Sequence, residues 1–339
     1  SYGKNPYTYD PNAKTLTKWT VDKSDLSLSV LGILSFADAG IQVNFAEDIG
    51  EPAFISDEEA YFTDLLEGLI IEWNPTDMTI TEVIEVQAVG PDVPGTDMFV
   101  GERRKYISGD NIFIPLFIGS PNVCCDFVTV NGGGVNVGVF NTTTNTLEYR
   151  KDDRSLFSRA DFIVDPITND MYVQPNEFAP MAIKYFNTDE DVSQAYSVLK
   201  FNSDGTFDQN FQLNLRDIVP IEVYTYGVIA FDGKLAFNYV DSTSWTFPET
   251  FNDRWSYYET SGLIKTVAID VNTKEVTTFD GLSAYDEGGW LVGTVDGVNY
   301  VEGYTSQGIT YFLRQNSFND FTEVSQVEGG GFTHVNQLW

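Results

Sequence analysis

Between Val198 and Leu215 apolar and polar residues alternate on both sides of Asn202-Ser203-Asp204-Gly205, which is the pattern and turn chemistry of a β-hairpin. Comparable runs occupy Tyr7 to Trp19, Ile70 to Val83, Val137 to Tyr149, Thr266 to Thr278 and Thr310 to Val324. Their recurrence at roughly 45 to 70 residues is a repeat signature. A shorter hairpin with a tight turn precedes most of them, at Phe54 to Phe62, Tyr106 to Ile114, Phe162 to Tyr172, Val228 to Phe237 and Leu291 to Tyr300. Two successive hairpins make a four-stranded antiparallel blade, with strands a to d, and repetition of that unit predicts an all-β β-propeller. No amphipathic helical stretch separates the strands, which excludes parallel α/β folds.

The pattern places strands c and d of a first blade at 5 to 22 and complete blades at 50 to 87, 104 to 150, 160 to 215, 225 to 280 and 289 to 328. Gly330 to Trp339 reads as a leftover strand that completes a blade begun at the other terminus, removing exposed edges. The expectation is one domain over 1 to 339, with seven blades in the intact chain and N-terminal strands of the closing blade lying upstream of Ser1. The predicted a–b and c–d turns are short. The long connections, Asp22 to Gly50, Ala88 to Lys105, Arg150 to Ala160, Gln174 to Ser193, Asn214 to Tyr226 and Val240 to Ser261, belong to the opposite class and so to one face. Long loops on one face of a rigid frame are where binding residues gather, so a ligand site is expected there.

Charge and composition narrow the partners. Fifty acidic against nineteen basic residues give a net charge of -31, which repels nucleic acid and anionic membrane surfaces. No apolar run approaches the roughly 18 residues of a membrane helix. Few lysines, many Tyr, Asn, Thr and Asp, and a lone sequon at Asn141-Thr142-Thr143 favour an extracytoplasmic location.

The long loops hold the candidate chemistry. The insertion from Asp241 to Glu259 carries Trp245, Trp255, Tyr257 and Tyr258, and Gln174 to Asp191 adds Phe178, Lys184 and Tyr185. Some rings must pack locally to order the loops, and the remainder would form an aromatic platform for sugars, catechols or other flat ligands. Scarce cations cluster at Arg103, Arg104 and Lys105 and again at Arg150 to Arg154. Arg154 either pairs with Asp152 and Asp153 or joins an anion-recognition patch. Cys124 and Cys125 are adjacent and read as packed thiols or, in an oxidising compartment, as a vicinal disulfide. His334 is the only histidine, which argues against a Ser-His-Asp triad or a multi-histidine metal site. Nothing singles out a glycosidase carboxylate pair, and Asp189-Glu190-Asp191 reads as solvated charge rather than a calcium loop. The expectation is a binding protein with no catalytic residues, metal or cofactor.

Four short motifs carry a resemblance: Tyr2-Gly3-Lys4-Asn5-Pro6, Lys151-Asp152-Asp153-Arg154-Ser155, Phe207 to Asn214, and Val327 to Gly330 with Asn336-Gln337-Leu338. In these the chain resembles the surface β-propeller lipoproteins of Bacteroidota associated with TonB-dependent siderophore uptake. The resemblance implies a lipidated cysteine upstream and an anchor at the outer-membrane surface. It also implies capture of an iron–siderophore or similar scarce ligand for a TonB-dependent transporter, with no catalytic residues to carry over. The low basic content departs from a site for anionic ferric catecholates and leaves neutral siderophores or glycans as ligands. Glycan binding or cleavage and a structural role beside a membrane transporter are the alternative readings.

Overall fold

The computed structural model describes residues 5–10, 12–22, 24, 27–38, 40–41, 52–65, 67–88, 105–116, 135–155, 161–174, 180, 192–244, 246, 248–249, 264–285, 289–295, 297–305 and 307–328. Among these, regular structure is dominated by antiparallel strands, with two short 3₁₀ turns, Val192–Tyr196 and Leu215–Asp217, and the single helical residue Pro180.

One turn recurs and explains where the hairpins reverse. It opens on Asp or Asn, whose Oδ1 accepts the N–H groups two and three residues on. Asp10 accepts from Asn12 and Ala13 at 2.9 and 3.0 Å, and Asn74 from Thr76 and Asp77 at 2.8 and 3.0 Å. Asn141, Asp165 and Asp270 do the same for their own turns. The fifth residue, Lys14, Met78, Asn145, Asn169 or Lys274, then has φ between 52° and 60°. A short polar side chain thus replaces the missing backbone acceptors, and one left-handed residue redirects the chain into the next strand. Asn141 belongs to this set, and its amide nitrogen also donates to Asn111 at 2.9 Å, so the sequon asparagine is a turn-former here.

The chain divides into two compact units, one of Ser1–Asp126, Asn136–Lys151 and Asn336–Trp339, the other of Phe127–Val135 and Asp152–Val335. In the first unit, β1 (Tyr7–Asp10), β2 (Thr15–Val21) and β3 (Leu28–Ser35) form a three-stranded sheet in that order. This corrects the reading of Asp22 to Gly50 as one long connection. The Asp22 N–H donates to the Ser27 carbonyl at 2.9 Å, closing a short turn into β3. The next sheet runs β4 (Ala53–Phe54), β5 (Ala60–Asp64), β6 (Leu69–Asn74), β7 (Thr79–Glu85). The third runs β8 (Tyr106–Ser108), β9 (Asn111–Leu116), β10 (Val135–Asn141), β11 (Thr146–Asp152). Alternation along these strands buries one residue set between neighbouring sheets. Leu16, Leu34 and Phe36 pack with Phe62, Ile71 and Trp73, and Tyr61, Ile70 and Ile84 pack with Ile112, Ile114 and Phe140.

The second unit repeats the meander three times: β12 (Asp161–Val164), β13 (Met171–Gln174), β14 (Ser197–Phe201) and β15 (Phe207–Asn214); β16 (Ile221–Phe231), β17 (Lys234–Asp241), β18 (Ile264–Asp270) and β19 (Val276–Thr278); β20 (Gly289–Val295), β21 (Val298–Tyr304), β22 (Ile309–Ser317) and β23 (Asp320–Glu328). A continuous core runs through it, from Tyr172 and Val198 through Ile229, Phe237 and Ile269 to Leu291 and Leu313. Polar ties join neighbouring sheets at their turns. The buried Asp165 carboxylate accepts, besides its own turn, the N–H groups of Asp232 at 3.0 Å and Gly233 at 2.7 Å. Asn299, also buried, donates to the Ala230 carbonyl at 2.9 Å and to Gln315 at 2.8 Å.

The complete blades fall where the alternation pattern puts them, and their a–b and c–d turns are short. Six sheets are present among the described residues, five of four strands and one of three. The opposite class of connections is mixed, since the turns between β5 and β6 and between β21 and β22 are tight as well. The expected terminal strand within 330 to 339 lies outside the described residues.

Candidate functional site

Most of the residues singled out from the sequence fall outside the described set: Arg103, Arg104, Phe178, Lys184, Tyr185, Trp245, Trp255, Tyr257, Tyr258, Cys124 and Cys125, with His334 and Asp189 to Asp191. Lys105 stands half-buried directly before β8. Arg154 is fully described, and its surroundings favour the structural alternative. Its Nε and Nη2 grip both oxygens of Asp152, at 3.0 and 2.8 Å for the closer contacts. Its remaining donors reach the carbonyls of Asp208, Gln209 and Phe211 on β15 at 3.1, 3.3 and 3.0 Å. Burial pushes the Asp152 carboxyl up, but hydrogen bonds from Arg154 and Gln209 and the guanidinium charge outweigh it and hold the group below the usual carboxylate range. A guanidinium clamped in this way has little left to offer a ligand.

Other cations are engaged as well. Lys265 donates to the buried Asp241, and that bond, with two more from the Thr243 side chain and backbone, holds the Asp241 carboxyl down to about 2. Lys200 pairs with Asp170 at 2.5 Å. Arg216 lies 5.2 Å over the ring of Tyr196, whose hydroxyl donates to the Glu222 carbonyl at 2.7 Å.

A different place in the second unit has the form of a site. Where β15 ends and the 3₁₀ turn begins, the chain faces the outer hairpin β18–β19 across a cleft of about 520 Å³ lined by Gln212, Asn214, Asp217, Ile218, Lys274 and Val276. Local chemistry fixes its walls. Asn214 caps the 3₁₀ turn, accepting from the Arg216 N–H at 3.0 Å and donating to the Ser193 carbonyl at 2.9 Å. Gln212 donates to Ser197 at 3.0 Å and to the Arg154 carbonyl at 3.2 Å, which leaves its amide oxygen as an acceptor. Lys274 is the left-handed residue of its turn, so its stem is set by the same geometry that reverses the hairpin. Asp217 and Lys274 are exposed, and neither charged group has a hydrogen-bond or ion-pair partner among the described residues. Ile218 and the exposed Val276 supply an apolar wall. The cleft thus offers one carboxylate, one ammonium, an amide acceptor and an aliphatic surface. No sequence motif marks it, because its halves come from different sheets.

The described strands define the class: consecutive four-stranded antiparallel meanders packed sheet on sheet, a β-propeller. No protein-family model matches the chain, and no curated protein matches it. Solved structures do. A protein provisionally assigned as a 6-phosphogluconolactonase from Bacteroides uniformis is similar with a TM-score of 0.50 at 11% identity, covering 96% of this chain and 81% of that one. Dihydro-heme d1 dehydrogenase NirN is similar with a TM-score of 0.46 at 9% identity over 95% of this chain. BamB from Moraxella catarrhalis follows with 0.37 at 9% identity over 98%. The chain spans 53% of the length of NirN and 65% of that of BamB. At such identities the likeness concerns the fold alone.

Proposed function

We propose that this chain is an extracytoplasmic, non-catalytic propeller that captures a small polar ligand, foremost a neutral ferric siderophore, and passes it to a TonB-dependent outer-membrane transporter. The observation that carries capture is the cleft at Asp217 and Lys274, where two unpartnered opposite charges and an aliphatic wall converge on a strand frame held by its own hydrogen bonds. One carboxylate and one ammonium lining the same cleft match a ligand that is neutral overall but rich in donors and acceptors. The net charge of -31 disfavours a polyanion such as a ferric tris-catecholate. Support for the cell-surface setting, lipid anchor and transporter partner comes from the motif resemblance to Bacteroidota surface lipoproteins.

Calorimetric titration tests this reading. A neutral ferric trihydroxamate, a ferric tris-catecholate and a neutral oligosaccharide are each titrated into wild type, Asp217→Ala/Lys274→Ala and Trp245→Ala/Trp255→Ala. The expected result is binding of the trihydroxamate that weakens at least about tenfold in the first variant, the size of losing one or two charged hydrogen bonds. Loss only in the tryptophan variant moves the site to the long loops. Binding of the oligosaccharide alone, or its cleavage, replaces siderophore capture with the glycan reading, and no binding of any probe at millimolar concentration rejects the proposal.

A further inference from the structure

Among the described residues, the outermost strand of the first sheet exposes more aliphatic side chains than any other outer strand: β23 exposes Val324 and Val327, and β7 and β19 one valine each, Val83 and Val276. In β15 the exposed positions are Gln209, Asn210 and Gln212, and in β11 they are Thr146, Glu148 and Lys151. β3 instead exposes Leu28 at 57%, Val30 at 51%, Leu31 at 55% and Ile33 at 55%. These four share one face. Gly32 and Leu34 point the other way, into the unit: Leu34 is buried, and a Cβ on Gly32 would meet Met78 at 2.7 Å. The pairing of β2 with β3 shifts register between Lys18 and Trp19, making Leu31 an extra residue, and this bulge brings Val30 and Leu31 together onto the outer face. Thr17, Trp19 and Val21, the β2 partners of Ile33, Val30 and Leu28, extend the same surface. No charged residue occurs from Leu26 to Ala37, although the chain carries a net charge of -31. Among the described residues no strand pairs with the far side of β3.

We propose that this face is a self-association surface, on which β3 of a second copy of the chain packs antiparallel about a two-fold axis between Val30 and Leu31. The sequence has the symmetry such an axis requires. Antiparallel superposition about that point sets Leu28 against Ile33 and Val30 against Leu31, so the large outward side chains meet one another. The uncharged run keeps carboxylates away from the axis, where two acidic chains would otherwise repel each other. The bulge twists the edge out of line for continuing the hydrogen-bond ladder, so the contact is between faces rather than edges. Exposed aliphatic area of this kind is what an isologous dimer removes from water.

Sedimentation equilibrium of the full chain, from about 1 to about 100 µM, reads the association directly. The expected result is a reversible dimer that tightens as salt rises to about 0.5 M, because screening relieves the repulsion between acidic subunits while leaving the apolar contact intact. Leu31→Lys, at an exposed site that leaves the core untouched, raises the dissociation constant at least about tenfold, and Leu28→Lys/Leu31→Lys is monomeric. Val324→Lys, an exposed valine on β23, leaves association unchanged. Circular dichroism confirms that each variant is folded. A wild type that is monomeric at every concentration and salt overturns the proposal, including one that binds lipid vesicles instead. So does equal loss of dimer in the Val324 and Leu31 variants.

Discussion

Replacing Asp165 by Ala tests whether one carboxylate holds two sheets of the second unit together. Asp165 is fully buried, and its oxygens accept four backbone N–H groups: Ile167 and Thr168 in its own turn, at 2.9 and 3.2 Å, and Asp232 and Gly233 in the next sheet, at 3.0 and 2.7 Å. The turn contacts resemble a helix N-cap, whose loss costs about 1 kcal/mol. Each inter-sheet contact is a hydrogen bond to a charged acceptor, for which about 2 kcal/mol is representative. Asp165→Ala should therefore cost about 5 kcal/mol, a large part of the 5 to 15 kcal/mol typical of a domain. Asp270 provides an internal control, because it makes the same two turn contacts, at 3.0 and 2.8 Å, without the second pair. Asp270→Ala should cost about 1 kcal/mol. Asp165→Asn keeps one acceptor but turns an NH₂ toward a backbone donor, and should fall between them, at about 2 to 3 kcal/mol. Urea unfolding followed by tryptophan fluorescence and circular dichroism gives the ranking. If Asp165→Ala and Asp270→Ala lie within about 1 kcal/mol of each other, the inter-sheet carboxylate is not the tie described here.

Three further outcomes follow from the same structure. Gly68→Ala should cost at least about 2 kcal/mol, since φ is +70° and a Cβ would lie 2.7 Å from the Val86 carbonyl oxygen, whereas Gly109→Ala, with φ +57° and open space, should cost about 1 kcal/mol; thermal melts of the pair separate steric from backbone cost. Arg154→Ala should destabilise by about 3 kcal/mol by stranding Asp152, and Arg154→Lys should recover only part of this, because an ammonium cannot serve a carboxylate and three carbonyls at once; folded Arg154→Lys protein should still bind ligand as wild type does. Acid titration should show a loss of stability below pH 4. Asp241 is held down to about 2 and Asp152 and Asp270 are also lowered, so their contribution is complete above the ordinary carboxylate range and is lost as pH falls through the folded values. Asp241→Asn should flatten that limb of the curve, and an unchanged acid limb would refute the assignment.

The blades were legible because their signals are local. Asp-Pro-Ile-Thr-Asn at 165 to 169 and Asn-Pro-Thr-Asp-Met at 74 to 78 announce a reversal through the first side chain and a left-handed fifth residue, and short runs rich in apolar residues flank them. The second role of Asp165 could not be read in this way, because its partners at Asp232 and Gly233 are brought to it by the packing of the next sheet. The cleft escaped for the same reason. Asp217 follows a strand end and Lys274 sits in a turn, each ordinary in its own segment, and only the juxtaposition of β15 with β18–β19 makes them one site.

β3 was missed for a more particular reason, and the reason bears on what the strand does. Its apolar residues fall at 28 and 30 and then at 31 and 33, so the period of two changes phase in mid-strand and the segment reads as a connection rather than a strand. The phase change is the bulge seen opposite Lys18 and Trp19. Without the extra residue, alternation would send the second apolar pair inward and leave a half-polar outer face. With it, all four large side chains reach one surface while Gly32 and Leu34 still meet the core. The irregularity that hid the strand is thus also what builds a continuous apolar face on it, which is why the self-association test is placed at Leu31, the inserted residue.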